Sequence, residues 1–384
     1  MQSFAFNTVA RLVSGSGEAL KLAEYCAKLG VHNALLVTDP GLVAIGLIGP
    51  VQDALGAAGV GVCLFPKVSE DPPEAVVLAA AEAGKAAGVD GVIAVGGGSS
   101  MDVAKVAAAL LCGGQALADM YGVDQVVGGR LPLILVPTTA GTGSEVTPVA
   151  VITTGETTKA GVSSSVLLPD VAVLDADLTL GLPPHITAMT GVDAMVHAIE
   201  AYTSKIKKNP VSDNLARSAL RLLADNVRTA VHDGRQRDAR AAMLLGAMQA
   251  GQAFANAPVA AVHALAYPLG GHFHIPHGLS NSLVLPEVLR FNLPDATPLY
   301  AELAEIVVGG AVSGSDEARA QALITAIEEL IGDLSMPATL REAGVDEGSL
   351  ETLASDAMLQ QRLLINNPRD LSYDDALGIY RAAF

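Results

Sequence analysis

Short apolar runs and helical patterns alternate through the first half of the chain. The runs NALLVTD (33–39), VGVCLFP (60–66), GVIAVGG (91–97), LPLILVP (131–137) and VAVLD (171–175) are each bounded by Gly, Pro or Asp. Continuous apolarity over so few residues predicts strands buried on both faces of a parallel sheet. Between them lie EALKLAEYCAKLG, closed by Gly30, PEAVVLAAAEAGKAAG, and MDVAKVAAALLCGG, closed by Gly113 and Gly114. These have the spacing of helices that end at glycine. Such βαβ alternation predicts an open α/β domain. Beyond LGLPPHITA (180–188) no strand run is evident, and long Ala/Leu/Met-rich helical patterns follow one another. The expectation is an α/β domain over 1–183 and an all-helical domain over 184–384. Two domains are the natural division of a chain of 384 residues.

Composition narrows the partners. Hydrophobic residues make up 51% of the chain and charged residues 16%, with a formal net charge of −17. That charge disfavours nonspecific binding to nucleic acid or anionic membranes, and no Lys/Arg cluster counters it. Small molecules and further copies of the same chain, as a homodimer or larger homo-oligomer, are the expected partners. The opening residues MQSFAFNTVARLVSGSG lack the charged start and apolar run of a secretory signal. No apolar run approaches the roughly 20 residues needed to span a bilayer, so a cytoplasmic location is expected. Cys26, Cys63 and Cys112 are far apart in no metal-like spacing and read as small buried hydrophobes.

Two turns have the chemistry of phosphate binding. In VDGVIAVGGGSSMDVAK a buried strand runs into Gly96, Gly97, Gly98, Ser99 and Ser100, and a helix opens directly behind. Glycines permit close backbone approach to an anion, and free N–H groups at the helix start supply hydrogen bonds. Ser99 or Ser100 is expected to cap the helix. In LPLILVPTTAGTGSEVTP, Thr138, Thr139, Thr142 and Ser144 stand just beyond the carboxyl end of a strand, where ligands sit in open α/β sheets. Asp39 ends another strand. Its carboxylate can accept from ribose hydroxyls and repel a 2′-phosphate, favouring NAD over NADP, or it can cap a helix before Pro40.

Histidines and one carboxylate mark a second chemistry. Asp193 and His197, four apart in GVDAMVHAIEAY, share one face of a predicted helix. His263 lies in an apolar helical stretch and His277 in a Pro-Gly loop. Four of the eight histidines fall between 263 and 277. A buried His needs partners for its ring nitrogens, which a metal satisfies. Three imidazoles and one carboxylate suit iron(II), zinc or manganese. His272 and His274, in the GGHFH segment, stand as alternatives to His263 or His277, or as pocket wall, proton relay or surface.

The motifs GGGSSMDVAK (96–105), PTTAGTGSE (137–145), GVDAMVHAIEAY (191–202) and HALAYPLGGHFHIPHG (263–278) together resemble the iron-containing alcohol dehydrogenases. Those belong to the wider group that includes glycerol dehydrogenase and dehydroquinate synthase. The resemblance implies a dinucleotide-binding α/β domain with a parallel sheet, an all-α domain, and an active site in the cleft between them. It implies a metal-dependent oxidoreductase that passes a hydride between NAD(H) and a small alcohol, aldehyde or ketone, with iron(II) the first choice of metal. By position, Asp193, His197, His263 and His277 match metal ligands. Asp39, Gly97, Gly98, Ser99, Thr138, Thr139, Thr142 and Lys159 match cofactor contacts, as do Leu178 and Leu182 at the ends of one stretch. Asp71 stands where many relatives have Asn. Many relatives also have a His four residues after the third ligand, where this chain has Tyr267. Tyr267, with His277, is the expected catalytic pair. A phenol with a reference pKa of about 10 is a poorer neutral-pH proton shuttle than imidazole. Two rivals share the fold: a dehydroquinate synthase-like lyase and a hydroxyacid–oxoacid transhydrogenase. A non-enzymatic nucleotide-binding protein is the third.

Overall fold

Alternate residues of each central strand enter opposite apolar layers, which is what the unbroken apolar runs require. In the computed structural model, which describes residues 3–155 and 158–384, Leu35 and Val37 pack with Val92, Ala94, Leu133 and Leu135 on one face. Leu36 packs with Ile93, Ile134, Val136 and Val173 on the other. The strands are β1 (Arg11–Ser14), β2 (Asn33–Val37), β3 (Gly61–Phe65), β4 (Gly91–Gly96), β5 (Gly122–Val123), β6 (Leu133–Pro137), β7 (Val149–Thr154), β8 (Thr158–Ser163) and β9 (Val171–Leu174). The helices of this half are α1 (Leu22–Leu29), α2 (Pro40–Ala44), α3 (Gly49–Ala57), α4 (Glu74–Ala87) and α5 (Gly98–Cys112).

Six strands form one sheet in the order β1-β9-β6-β4-β2-β3, and every pairing in it is parallel. From β2 the chain steps outward to β3, then crosses back to place β4 on the opposite side of β2. The direction of growth reverses there, so the carboxyl ends of β2 and β4 flank a topological switch point, the usual ligand site of such sheets. The five strands expected from the apolar runs are all present within two residues of their predicted ends. Four others were not foreseen. β1 is a four-residue, mostly exposed edge strand with no apolar run to announce it. β7 and β8 form an antiparallel hairpin from Val149↔Ser163 to Thr154↔Thr158, and β5 adds parallel to β8.

The chain divides into two compact units, one of residues 7–181 and one of 182–384 together with 3–6. Among its described residues the second unit is helical. Its helices are α6 (Pro184–Thr203), α7 (Pro210–His232), α8 (Arg237–Asn256), α9 (Ala261–Phe273), α10 (His277–Val308), α11 (Asp316–Asp333), α12 (Leu350–Ala357), α13 (Gln361–Leu364) and α14 (Tyr373–Ala382). α6 is the central one. Every residue from Gly191 to Thr203 is buried, as expected for a helix surrounded by others. No helix is long and apolar enough among the described residues to cross a membrane. The three cysteines are free. Cys26 is buried and Cys63 half-buried, whereas Cys112, at the last position of α5, is exposed, contrary to the expectation that all three are buried.

Candidate metal centre and dinucleotide turns

α6 projects Asp193, His197 and Glu200 from one side, at spacings of four and three residues. All three are buried. His263 sits in the first turn of α9. His277 is the first residue of α10 rather than part of a loop, directly after Pro276 at the N-cap position. α10 meets α6 very closely here. A Cβ on Gly278 would lie 2.3 Å from the Met189 carbonyl oxygen, so only glycine lets the start of α10 reach the level of Asp193.

The result is a convergence of acceptors. Asp193 Oδ1 lies 3.9 Å from His263 Nε2 and 3.7 Å from His277 Nε2. The ligand atoms of these three residues are all within 4.8 Å of one another. Tetrahedral ligands of one ion, each about 2.1 Å from it, lie roughly 3.4 Å apart; the two distances to Asp193 are within about half an ångström of that, so the set can close on a small divalent cation. The Asn281 amide is aimed at the same point. Its Nδ2 donates to Asp193 Oδ1 at 2.7 Å and lies 3.4 Å from His263 Nε2 and 3.3 Å from His277 Nε2. Its buried Oδ1 has no hydrogen-bond partner. Burial pushes the Asp193 carboxyl up, but His197, His277, His263 and the Asn281 amide outweigh it, leaving the group below its ordinary value.

His197 holds a different place from the other three. Its ring is stacked between Phe254, with centroids 4.4 Å apart, and His263, 4.7 Å apart. Its Nδ1 lies 3.9 Å from the second oxygen of Asp193. Tyr267 is one turn beyond His263, with its ring 5.9 Å from that of His277. The GGHFH segment is the end of α9 and not a loop. There His272 Nε2 is 2.6 Å from Asp356 Oδ2, and His274 is the left-handed C-cap. Neither reaches the cluster. Glu200 and Asn281 escaped the motif reading. Their signals were an acidic residue seven positions after Asp193 in an otherwise apolar helix, and an Asn one turn after His277.

In the first unit the glycine turn after β4 and the threonine turn after β6 lie side by side, and Asp39 follows the end of β2; the other predicted cofactor residues are not gathered with them. Gly96 pairs with Pro137 in register, and Thr138 N–H donates to Gly96 O at 3.0 Å. A Cβ on Gly98 would lie 2.8 Å from Thr142 Cγ2, so glycine lets the two turns pack together. Gly97 is the N-cap of α5 with no side-chain cap; Ser99 and Ser100 are inside the first turn and do not cap it. That leaves the first backbone N–H groups, which an intrahelical bond cannot satisfy, for an anion. Asp39 is the N-cap of α2, its Oδ1 accepting from Leu42 N–H at 3.0 Å. Lys159 Nζ donates to Asp71 Oδ1 at 2.6 Å. Leu178 packs beneath the sheet, and the Leu182 carbonyl accepts from Arg240.

A buried charge network braces these turns. Lys105, wholly buried, donates from Nζ to Ser144 Oγ (2.8 Å), Thr147 Oγ1 (3.1 Å) and the Val149 carbonyl (2.7 Å). Asp102 accepts from Ser144 Oγ and Val151 N–H. Burial pulls the Lys105 ammonium down to about 8 against the pull of Asp102 and Glu145. Burial pushes the Glu145 carboxyl up to about 7 from 4.5, its own backbone and Lys105 opposing. A raised carboxyl keeps its proton when folded and loses it when unfolded. Its contribution is therefore full below about pH 4.5 and lost as pH rises through about 7. Glu145→Gln should gain on the parent protein by about 2–3 kcal/mol between pH 4.5 and 7.5, read from urea unfolding at the two pH values. An unchanged difference would contradict the burial argument.

Comparison with known proteins follows the same division. An iron-containing alcohol dehydrogenase model matches residues 10–176, and the C-terminal model of the Fe-containing alcohol dehydrogenase family matches 187–384. Long-chain-alcohol dehydrogenase 1 of Geobacillus thermodenitrificans (strain NG80-2) is 41% identical over 373 residues, 96% of this chain and 94% of that protein. The crystal structure of a 1,3-propanediol oxidoreductase superposes with a TM-score of 0.96 at 36% identity, covering 100% of both chains. Sulfoacetaldehyde reductase from Bifidobacterium kashiwanohense, solved in complex with NAD+, has a TM-score of 0.88 at 30% identity, covering 100% of this chain and 99% of that one.

Proposed function

The chain belongs to the iron-containing alcohol dehydrogenase family, and from that membership we propose that it is an NAD-dependent oxidoreductase of small alcohols and their carbonyl products, with Asp193, His197, His263 and His277 as the metal-holding residues. The observation that supports this most is the convergence of Asp193, His263 and His277 on one buried point. When bound, a divalent cation there supplies Lewis-acid polarisation of the substrate oxygen, and the nicotinamide takes or returns the hydride.

The protein's own residues do the rest. Asp193 and the imidazoles of His197, His263 and His277 provide a carboxylate and three neutral acceptors, so the site keeps net positive charge once a divalent cation is held. The Asn281 amide fixes the carboxylate of Asp193. The uncapped start of α5 and the hydroxyls of Thr138, Thr139 and Thr142 receive the pyrophosphate and ribose. Tyr267, its ring 5.9 Å from that of His277, is the proposed group for passing a proton between substrate oxygen and solvent.

Asp39 supports NAD rather than NADP, since its carboxylate at the end of β2 repels a 2′-phosphate. Serine also caps helices well, so Asp39→Ser removes the charge and keeps the cap. The ratio of kcat/KM for NADP over NAD is expected to rise by about tenfold or more, equal to about 1.4 kcal/mol. No change in that ratio would remove Asp39 from cofactor choice. The same assay with primary alcohols, diols and small aldehydes, after loading with iron(II), zinc or manganese, tests the function as a whole. Steady accumulation of free NADH supports a dehydrogenase; hydride passed only to an added oxoacid would replace it with a transhydrogenase.

A further inference from the structure

We propose, resting on the metal reading above, that Glu200 is a positioning residue: it fixes the tautomer of His263 so that Nε2 presents a lone pair to the cation. Glu200 is buried on α6, seven residues after Asp193 and three after His197. Its two oxygens are both engaged. Oε1 accepts from the Val262 backbone N–H at 2.7 Å, and Oε2 lies 2.6 Å from His263 Nδ1.

The proton's place follows from which groups can only donate. A backbone N–H only donates and an ionised carboxylate only accepts, so with Oε1 taken by Val262, Oε2 is the acceptor facing Nδ1. The proton of the neutral ring is then on Nδ1, and Nε2 is the acceptor. The opposite edge of the ring agrees independently. Asn281 Nδ2 is identified as nitrogen by its 2.7 Å bond to Asp193 Oδ1, and this same donor faces His263 Nε2 at 3.4 Å. Both sides of the imidazole therefore require the tautomer that leaves Nε2 open. Metal-binding histidines commonly have such an outer carboxylate, whose loss weakens metal binding by about 10–100-fold.

Glu200 does this while also holding the start of α9, because Val262 N–H is one of the groups a helix cannot satisfy internally. One side chain therefore ties α6 to α9 and sets the ring between them. Replacement by Gln separates the two tasks. Gln has one acceptor oxygen, which Val262 N–H claims, so its amide nitrogen faces His263 Nδ1. His263 Nδ1 must then accept from that amide, and the ring proton moves to Nε2, the atom that faces Asp193 and Asn281.

The experiment is a competition titration of zinc against a chromophoric chelator, without NAD or substrate, on the full-length parent, Glu200→Gln and His263→Ala proteins. Nitrogen-15 spectra of histidine-labelled, metal-stripped parent and Glu200→Gln protein accompany it. The expected result is zinc affinity lowered about 10–100-fold in Glu200→Gln, unchanged NAD affinity, and a His263 proton on Nδ1 in the parent but on Nε2 in the variant. Parent-like zinc affinity in Glu200→Gln, with binding lost in His263→Ala, overturns the role of Glu200 alone. Parent-like affinity in His263→Ala overturns the metal site itself. Should Glu200→Gln not fold, the parent spectrum still decides: a proton on Nε2 of His263 refutes the proposal.

Discussion

His263→Ala is expected to abolish metal binding and to lower turnover by roughly three orders of magnitude, about 4 kcal/mol of transition-state stabilisation, while NAD still binds. The reasons are local. His263 offers one of three acceptor atoms within 4.8 Å of one another, and its removal takes away one of the four proposed ligands together with the ring on which His197 stacks, so the ion is no longer held firmly. The substitution also deprives Glu200 Oε2 of its 2.6 Å partner, and leaving a buried acceptor unmet costs about 1–3 kcal/mol. A fall in thermal stability is therefore expected alongside, and it has to be separated from the loss of metal. His277→Ala separates the two. Its ring is one-third exposed, against 3% for that of His263, so it should lose metal and turnover with a smaller thermal shift. Metal content by elemental analysis, NAD binding by fluorescence titration and unfolding temperature give the three readouts. Turnover that survives in either variant after its metal is gone would refute the assigned chemistry.

Gly278→Ala is expected to be nearly as damaging, although the residue bears no functional group. A Cβ there would sit 2.3 Å from the oxygen and 2.7 Å from the carbon of the Met189 peptide. Backbone cannot rotate away as a side chain can, so the first turn of α10 must retreat from α6 by about 1 Å to restore a normal contact. His277 leads that turn and Asn281 follows one turn later, so both shift relative to Asp193. Displacements of about 1 Å at such sites cost on the order of 100-fold in rate, and the overpacking itself costs roughly 1–3 kcal/mol. Gly332→Ala is the control, since a Cβ at Gly332 in α11 has nothing within 4 Å. It should leave turnover unchanged. Parent-like metal affinity in Gly278→Ala would show that α6 and α10 do not need this close approach.

The parts of the fold that were legible share one property: their local pattern and their tertiary burial agree. β2, β4 and β6 are buried on both faces, and their apolar runs say so. The hairpin β7–β8 was passed over because VAVITT alternates in burial and TKAGVS is mostly half-buried with polar residues, which blurs a run of apolar letters. β1 and β5 are short and exposed, and strands of that kind are set by the neighbour they pair with. The start of α10 was misplaced because Pro276 and Gly278 look like loop residues. The proline is the N-cap of the helix, and the glycine is there for the contact with Met189.

The site divides in the same way. Asp193 and His197 share a face because four residues make about one turn, which any helix guarantees. That His197 stacks between Phe254 and His263 depends on the packing of α8 and α9 against α6, and no spacing within α6 encodes it. Glu200 and Asn281 belong to the site through partners 62 and 88 residues away in sequence. A buried carboxylate in an apolar helix is rare without a partner, and that is the one sequence signal that Glu200 gave.

The central claim is that hydride transfer depends on a cation held by the Asp193 cluster. The most direct test strips the full-length protein with a chelator under anaerobic conditions and restores iron(II), zinc or manganese in steps. NADH formation from NAD and an alcohol that the metal-loaded parent oxidises is followed at each step. The expected result is no NADH from the stripped protein and recovery that saturates at one ion per chain, absent in His263→Ala. Equal NADH formation by the stripped and reloaded protein would contradict it.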